Sequence, residues 1–423
     1  MTAMFITLAV LIVIGVPVSF AIGVASLLGV ISLNVPVVVT VQRMFSGLDA
    51  YTLLAIPFFI LAGNLMDSGG ISRRLIKLSS ALVGHIRGGL AMVCVLASML
   101  FGCVSGSAAA ACAAIGPIML PGMKEKGYEP AFSSALIACS GPLGSIIPPS
   151  LTMVIYGASS NASIGKMFLG GYIPGILIGV AIMLLCYFFA VKRNYPAGKK
   201  ATAREVVHTS RDAIWALLTA IIIVAGIMSG VFTATEASAV AVVYALFVGL
   251  FVYKELKLKD LPAIFFRSVV TSATVLFCVA TSTILGWVMT RLQIPAMVAG
   301  WITSTISSKF LFLLLINVIF LILGCIMDAS PAILLSVPIL LPIAESFGIN
   351  PVHFGIIAVI NLAVGMSTPP VGITLFVTSS ISKLPISKMV KHLVPFWIVQ
   401  ITMLILVTYI PAISMWLPNM LMK

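Results

Sequence analysis

Two Pro-Pro dipeptides, Pro148-Pro149 in "SIIPPS" and Pro369-Pro370 in "MSTPPV", interrupt apolar runs of the chain. Proline has no N–H and clashes with the preceding turn, so each dipeptide breaks a helix and frees carbonyl oxygens. Freed carbonyls at membrane depth can ligate a dehydrated cation. A plain proline kink is the alternative for either break taken singly. One carboxylate stands deep in an apolar run: Asp328, in "CIMDAS". A carboxylate at the bilayer centre costs at least about 2.5 kcal/mol. Two roles fit it: an ion ligand, or a cap that bonds local N–H groups. The matching stretch of the first half, "CVSGS", carries only Ser105 and Ser107. One site is then neutral and the other anionic. No arginine is placed by the sequence beside these residues, so helix N-termini are the available positive ends for an anion.

The elements that must hold these residues are membrane helices. The 423 residues are 61% hydrophobic and only 8% charged, against roughly 25% charged in soluble domains. Apolar runs of about 20 residues, the length of a bilayer span, recur along the chain. The alternating segments of about ten residues that mark a β-barrel do not appear. The first apolar stretch, 4–32, has no basic leader and is followed by many more, so it reads as embedded rather than cleaved. Whether 1–35 form one long helix or two short ones stays open. The net charge of +13 reflects the positive-inside rule rather than nucleic-acid binding. Arg73, Arg74, Lys77 and Arg87, then Lys124 and Lys126, then the polar stretch from Lys192 to Arg211, then Lys254, Lys257, Lys259 and Arg267, then Lys383, Lys388 and Lys391 form clusters. One threading places these 19 of the 24 Lys and Arg on the cytoplasmic side. Arg43, Lys166, Arg291, Lys309 and Lys423 fall outside.

That threading gives residues 89–122 basic flanks at both ends, Arg87 and Lys124. The stretch must enter the membrane and return, with a small-residue tip at Ser105-Gly106-Ser107. Such a tip is tolerated only against protein or a water-filled cavity. The chain also repeats itself. At one constant offset Pro117 meets Pro338, Pro121 meets Pro342, Gly127 meets Gly348, Pro130 meets Pro351 and Gly144 meets Gly365. Pro148-Pro149 meets Pro369-Pro370, and Pro174 meets Pro395. The second hairpin, 309–346, lacks basic flanks toward the cytoplasm and opens outward, so the repeats are inverted. Inverted repeats with broken helices are the build of secondary transporters.

The predicted organisation is all-α and polytopic. Residues 1–67 are first-repeat scaffold, 68–88 an amphipathic arm, 89–122 hairpin 1, and 123–191 a broken helix with its closing span. A cytoplasmic linker, 192–211, follows. The second repeat has scaffold at 212–289, an arm at 290–308, hairpin 2 at 309–346, and a broken helix and closing span at 347–423. Glu236, in "GVFTATEAS", reads best as a first-turn helix cap with Thr233 or Thr235. The seven cysteines lie in apolar segments without a CxxC pair and read as packing. The four histidines have no metal-ligand spacing. "SIGKM" around Lys166 lacks the residues of a phosphate-binding loop. No nucleophile–base constellation is visible, so no enzymatic activity is expected.

At the motifs "LLAIPFFILAGNLMDSGGISRRL", "SGSAAAACAAIGPIMLPGMKEKGY", "GSIIPPSLTMVIYG", "GVFTATEASAVAVVYAL" and "LGCIMDASPAILLSVPILLPI", the chain resembles the large membrane subunit of tripartite ATP-independent periplasmic (TRAP) transporters, essentially end to end. The resemblance implies an elevator-type carrier in the bacterial inner membrane, coupled to Na+ and using no other cofactor. It implies an acidic metabolite as substrate, of the C4-dicarboxylate or sialic-acid type. It implies two partners besides the lipid bilayer, a small membrane subunit and a periplasmic substrate-binding protein. The chain opens directly on large-subunit sequence, so the small subunit is expected to be separate. With the breaks and tips read as above, the expected sodium ligands are Ser105, Gly144, Ile147, Pro148, Gly324, Asp328, Gly365, Thr368 and Pro369. The substrate lies near Ser105, Ser107, Ser150 and Ser330. Two rivals stay in transport: a stand-alone cation/proton antiporter, which would want more buried acids, and an organic-anion symporter of related fold. An intramembrane enzyme is the rival of another class, and its paired catalytic groups are missing.

Overall fold

The computed structural model describes residues 2–306 and 308–422. Lys423, one of the charges placed outside, and Ser307, within the second arm, lie outside the described residues. The regular structure of the described residues is helical apart from an isolated bridge between Arg87 and Ala197.

The first repeat opens with α1 (Thr2–Val13), α2 (Val18–Ser32) and α3 (Val38–Leu48), then α4 (Ala55–Ser68). Residues 2–32 therefore form two short helices, parted at Gly15 and Pro17. α5 (Ile71–Val83) leads to α6 (Gly89–Ser105) and α7 (Ala108–Glu125), joined by Gly106 and Ser107 alone. α8 (Pro130–Ser140), the single turn α9 (Leu143–Ile146) and α10 (Leu151–Ser160) follow, then the long α11 (Ile164–Lys192). The second repeat comprises α12 (Ala203–Met228), α13 (Ala234–Phe247), α14 (Leu261–Arg291) and α15 (Ile294–Thr305). It continues through α16 (Lys309–Ile326), α17 (Ala329–Ser346), α18 (Pro351–Gly365), α19 (Ile373–Ser382) and α20 (Ile386–Tyr409), and α21 (Ala412–Leu421) ends it.

Among the described residues eight helices are long and apolar enough to cross a membrane, or nine if α8–α9 and α10, bent by 43° at the break, make one span. The protein is a multi-pass membrane protein. α16 and α17 are each 18 residues, about 27 Å at 1.5 Å per residue, so length alone does not set how deep their tip lies.

The repeat seen in the sequence returns as matched elements. α7 and α17 start and stop at equivalent positions, and each carries two internal prolines. Both Pro-Pro bonds are cis. The repeats also exchange partners: α7 packs on α19, and α10 packs on α17. The long α14 packs on α2 and α4, and α4 packs on α13. Several long-range contacts join residues that the threading places on the same side. Arg74 pairs with Glu255 at 2.6 Å. Glu129 meets Arg193 at 3.1 Å and His392 at 3.0 Å. Arg43 and Arg291 both sit over Trp287, at 5.3 and 5.5 Å. The Lys309 ammonium donates to the Gly348 carbonyl at 3.1 Å.

One boundary differs from expectation. The stretch 192–211 is not linker throughout, because α12 already begins at Ala203. The cause is local. The Thr202 hydroxyl accepts from Glu205 N at 3.3 Å, and the Glu205 carboxylate accepts from Thr202 N at 2.7 Å, a reciprocal capping box.

Candidate transport site

The two breaks are built alike. In a continuous helix Pro149 would donate to the Ser145 carbonyl, and Pro370 to that of Met366. Both orphaned carbonyls are covered by a hydroxyl from beyond the break. The Ser150 hydroxyl donates to Ser145 O at 2.5 Å, and the Thr374 hydroxyl to Met366 O at 2.8 Å. The carbonyls orphaned by Pro148 and Pro369 belong to Gly144 and Gly365. Gly365 O accepts from Thr368 N at 2.8 Å, whereas Gly144 O accepts no hydrogen bond from the described residues. The carbonyls of Ile147, Pro148, Thr368 and Pro369 likewise accept none among them. Buried carbonyls are normally paired, so the buried Gly144, Ile147 and Pro148 are left with open oxygens, while Thr368 and Pro369 present theirs from half-buried positions.

A helix-pair tip is seated against each break. Leu151 N donates to Gly106 O at 3.3 Å, while Val371 N and Gly372 N donate to Cys325 O at 3.0 and 3.2 Å. Gly106 has φ +63°, which favours glycine at this turn, and a Cβ there would meet Pro149 O at 2.9 Å. Gly102 lies backbone to backbone with Gly144, and Gly324 with Gly365. Only glycines allow this approach.

Asp328 sits half-buried at the N-cap position of α17, with extended backbone, and makes no capping hydrogen bond. The N–H groups of Ala329 and Ser330 and the Ser330 hydroxyl are its polar neighbours. It takes part in none of the four ion pairs among the described residues. Glu236 is different. Its carboxylate accepts from Thr233 N at 2.8 Å, and Thr233 Oγ1 accepts from Glu236 N at 3.2 Å. This is the helix cap expected from the sequence.

The serines divide. Ser105 and Ser107 line one cavity of about 290 Å³. Ser107 also caps α7, accepting from Ala110 N at 3.4 Å. The buried Ser150 hydroxyl is spent on Ser145 O and on Met153 N. Ser330 is buried in the first turn of the other tip. The cavity adds residues that the sequence did not assign. Asn64 and Asp67 of α4 and Arg267 of α14 line it together with Ser105 and Ser107. Arg267 was counted only as a flanking charge. The signal within the sequence was "GNLMD", where Asn64 and Asp67, three apart, share one face of an apolar helix.

The family described as "Tripartite ATP-independent periplasmic transporter, DctM component" matches residues 5–413. The chain is 44% identical over 379 residues to the C4-dicarboxylate TRAP transporter large permease protein DctM of Pseudomonas aeruginosa, covering 90% of this chain and 89% of the relative. It is 40% identical over 407 residues to the sialic acid TRAP transporter large permease protein SiaM of Vibrio cholerae, covering 96% and 95%. Among solved structures, the YdaH transporter of Alcanivorax borkumensis superposes with a TM-score of 0.65 at 14% identity, over 90% of this chain and 87% of that one. That likeness concerns the fold alone.

Proposed function

The chain belongs to the DctM component family, the large membrane subunit of TRAP transporters, and on that premise we propose that it carries a small organic acid inward across the bacterial inner membrane, driven by sodium. The observation that carries the sodium reading is the pair of breaks, each with open carbonyls at equivalent positions: Ile147 and Pro148, Thr368 and Pro369. Sodium is a hard cation and takes oxygen ligands, and discontinuous helices offer them at membrane depth. Gly144, Gly324 and Gly365 bring the tips close to these oxygens. Ser105 adds a hydroxyl on the neutral side and Asp328 a charge on the other. Relatives named for C4-dicarboxylate and sialic acid support an organic acid as cargo.

In this reading α6–α7 and α16–α17 are re-entrant hairpins. Together with the broken helices they form a body that slides as an elevator against a scaffold of α1–α4 and α12–α14, braced by the arms α5 and α15. The substrate lies between the tips, near Ser105 and Ser107, with Ser150 and Ser330 shaping the surrounding backbone. The word "tripartite" in the family description fits a small membrane subunit and a periplasmic binding protein as partners. The test is uptake into proteoliposomes holding all three components. An inward sodium gradient should drive uptake without ATP, and omission of the binding protein should abolish it. Equal uptake with choline in place of sodium, or with a proton gradient alone, overturns the sodium coupling.

A further inference from the structure

The cavity beside the first tip holds one guanidinium and one carboxylate that do not close on each other. Arg267 and Asp67 both line it, and Arg267 is the cation that acts on Asp67 across it. Yet none of the four ion pairs within 4.0 Å among the described residues joins them. The helix that carries Arg267 is tied to the scaffold at the next residue. Asn64 Nδ2 donates to the Ser268 hydroxyl at 2.8 Å, locking α14 to α4 one residue away. The opposite wall is the tip itself. Gly63 of α4 packs on the Ser105 carbonyl, and Ala109 and Ala110 present the first turn of α7 to the cavity. That helix start is a partial positive end. The exposed Arg267 side chain thus shares with a helix N-terminus and two hydroxyls a space of about 290 Å³, close to the ~300–1,000 Å³ typical of ligand sites.

We propose that this cavity is a binding site for a short-chain carboxylate, with Arg267 as the carboxylate-binding group on the scaffold and Asp67 as an internal anion that competes with it. The proposal rests on the organic-acid reading above and assigns that reading a specific residue. A guanidinium presents paired N–H donors that match a carboxylate in two parallel hydrogen bonds. Ser105, Ser107 and the α7 N-terminus take the other end of the molecule. Asp67 supplies the same chemistry from within the chain. When the acid leaves, Asp67 is at hand to balance Arg267, so the site releases cargo without stranding a bare charge. The charge pattern puts Arg267 at the cytoplasmic end of α14, where release occurs.

The test is ligand-dependent thermal stabilisation of the purified full chain in sodium buffer, titrated with succinate and, as the uncharged analogue, succinamide. Succinate should stabilise and succinamide should not. Arg267→Gln should raise the half-saturating succinate concentration at least tenfold. Arg267→Lys, which keeps the charge but not the fork, should fall between. Asp67→Asn should lower the concentration severalfold, a gain that a merely structural role would not produce. Unchanged succinate titration in Arg267→Gln overturns the proposal while leaving organic-acid transport intact. No stabilisation by succinate in a chain that transports organic acids with its partners also overturns it. Absence of organic-acid uptake by the whole assembly overturns the functional reading instead.

Discussion

Gly324 and Gly365 lie backbone against backbone. A Cβ on Gly365 would stand 2.6 Å from the Gly324 Cα and 2.9 Å from Cys325 N. The contact presses the second tip onto the second break, as Gly102 and Gly144 do for the first. Gly365→Ala forces overpacking, which costs about 1–3 kcal/mol. Its thermal midpoint should drop well below that of Gly286→Ala, where a Cβ meets nothing within 4 Å. Equal midpoints for the two variants would show that the close approach is not required.

Asp328→Asn separates the two roles open to this residue. The amide keeps the shape and one acceptor oxygen but removes the charge. The sodium concentration for half-maximal transport should rise at least about tenfold, equivalent to about 1.4 kcal/mol. The purified variant should melt no lower than the parent, since a neutral amide is less costly than a charge at that depth and its remaining oxygen can still face the N–H groups of Ala329 and Ser330. A lower melting point with unaltered sodium dependence would make Asp328 a cap after all.

Ser150→Ala and Thr374→Ala each strip the hydroxyl from a carbonyl that proline has orphaned. A buried unsatisfied acceptor costs about 1–3 kcal/mol, so Ser150→Ala should be destabilised by that amount in thermal or denaturant unfolding, and Thr374→Ala by less, because Met366 O keeps its bond from Thr374 N at 3.0 Å. The two carbonyls are different groups, so the double variant should add to within about 0.5 kcal/mol. A neutral effect of Ser150→Ala would mean that another donor replaces the hydroxyl.

Glu236→Gln and Thr233→Ala probe a cap and nothing more. Loss of the Thr233 cap should cost about 1 kcal/mol, read from the melting curve, with the sodium requirement of transport unchanged. A shift in that requirement would place Glu236 in the ion path.

The matched prolines and glycines made the duplication legible, because only these residues break a helix or let two backbones touch. The Thr233–Glu236 cap was legible for a different reason: all its atoms lie within one turn. The hydroxyls over Ser145 O and Met366 O were hidden, since their direction depends on how the chain folds back after each Pro-Pro pair. Ser150 therefore read as a substrate contact, although its hydroxyl is spent on the backbone. Arg267 was hidden more deeply. Nothing local distinguishes a guanidinium that marks a membrane boundary from one that faces Asp67 and Ser105, which belong to helices of the other repeat.

The partner exchange of α7 with α19 and of α10 with α17 has a mechanical corollary. Each half of the polypeptide lays two of its helices against the other half, so the covalent link between them is not what holds the halves together. Lys199 and Lys200 are exposed and belong to no helix. A protease that nicks the chain there severs the tether and leaves an interlocked pair of fragments, which should migrate as one particle in mild detergent and as two bands once denatured.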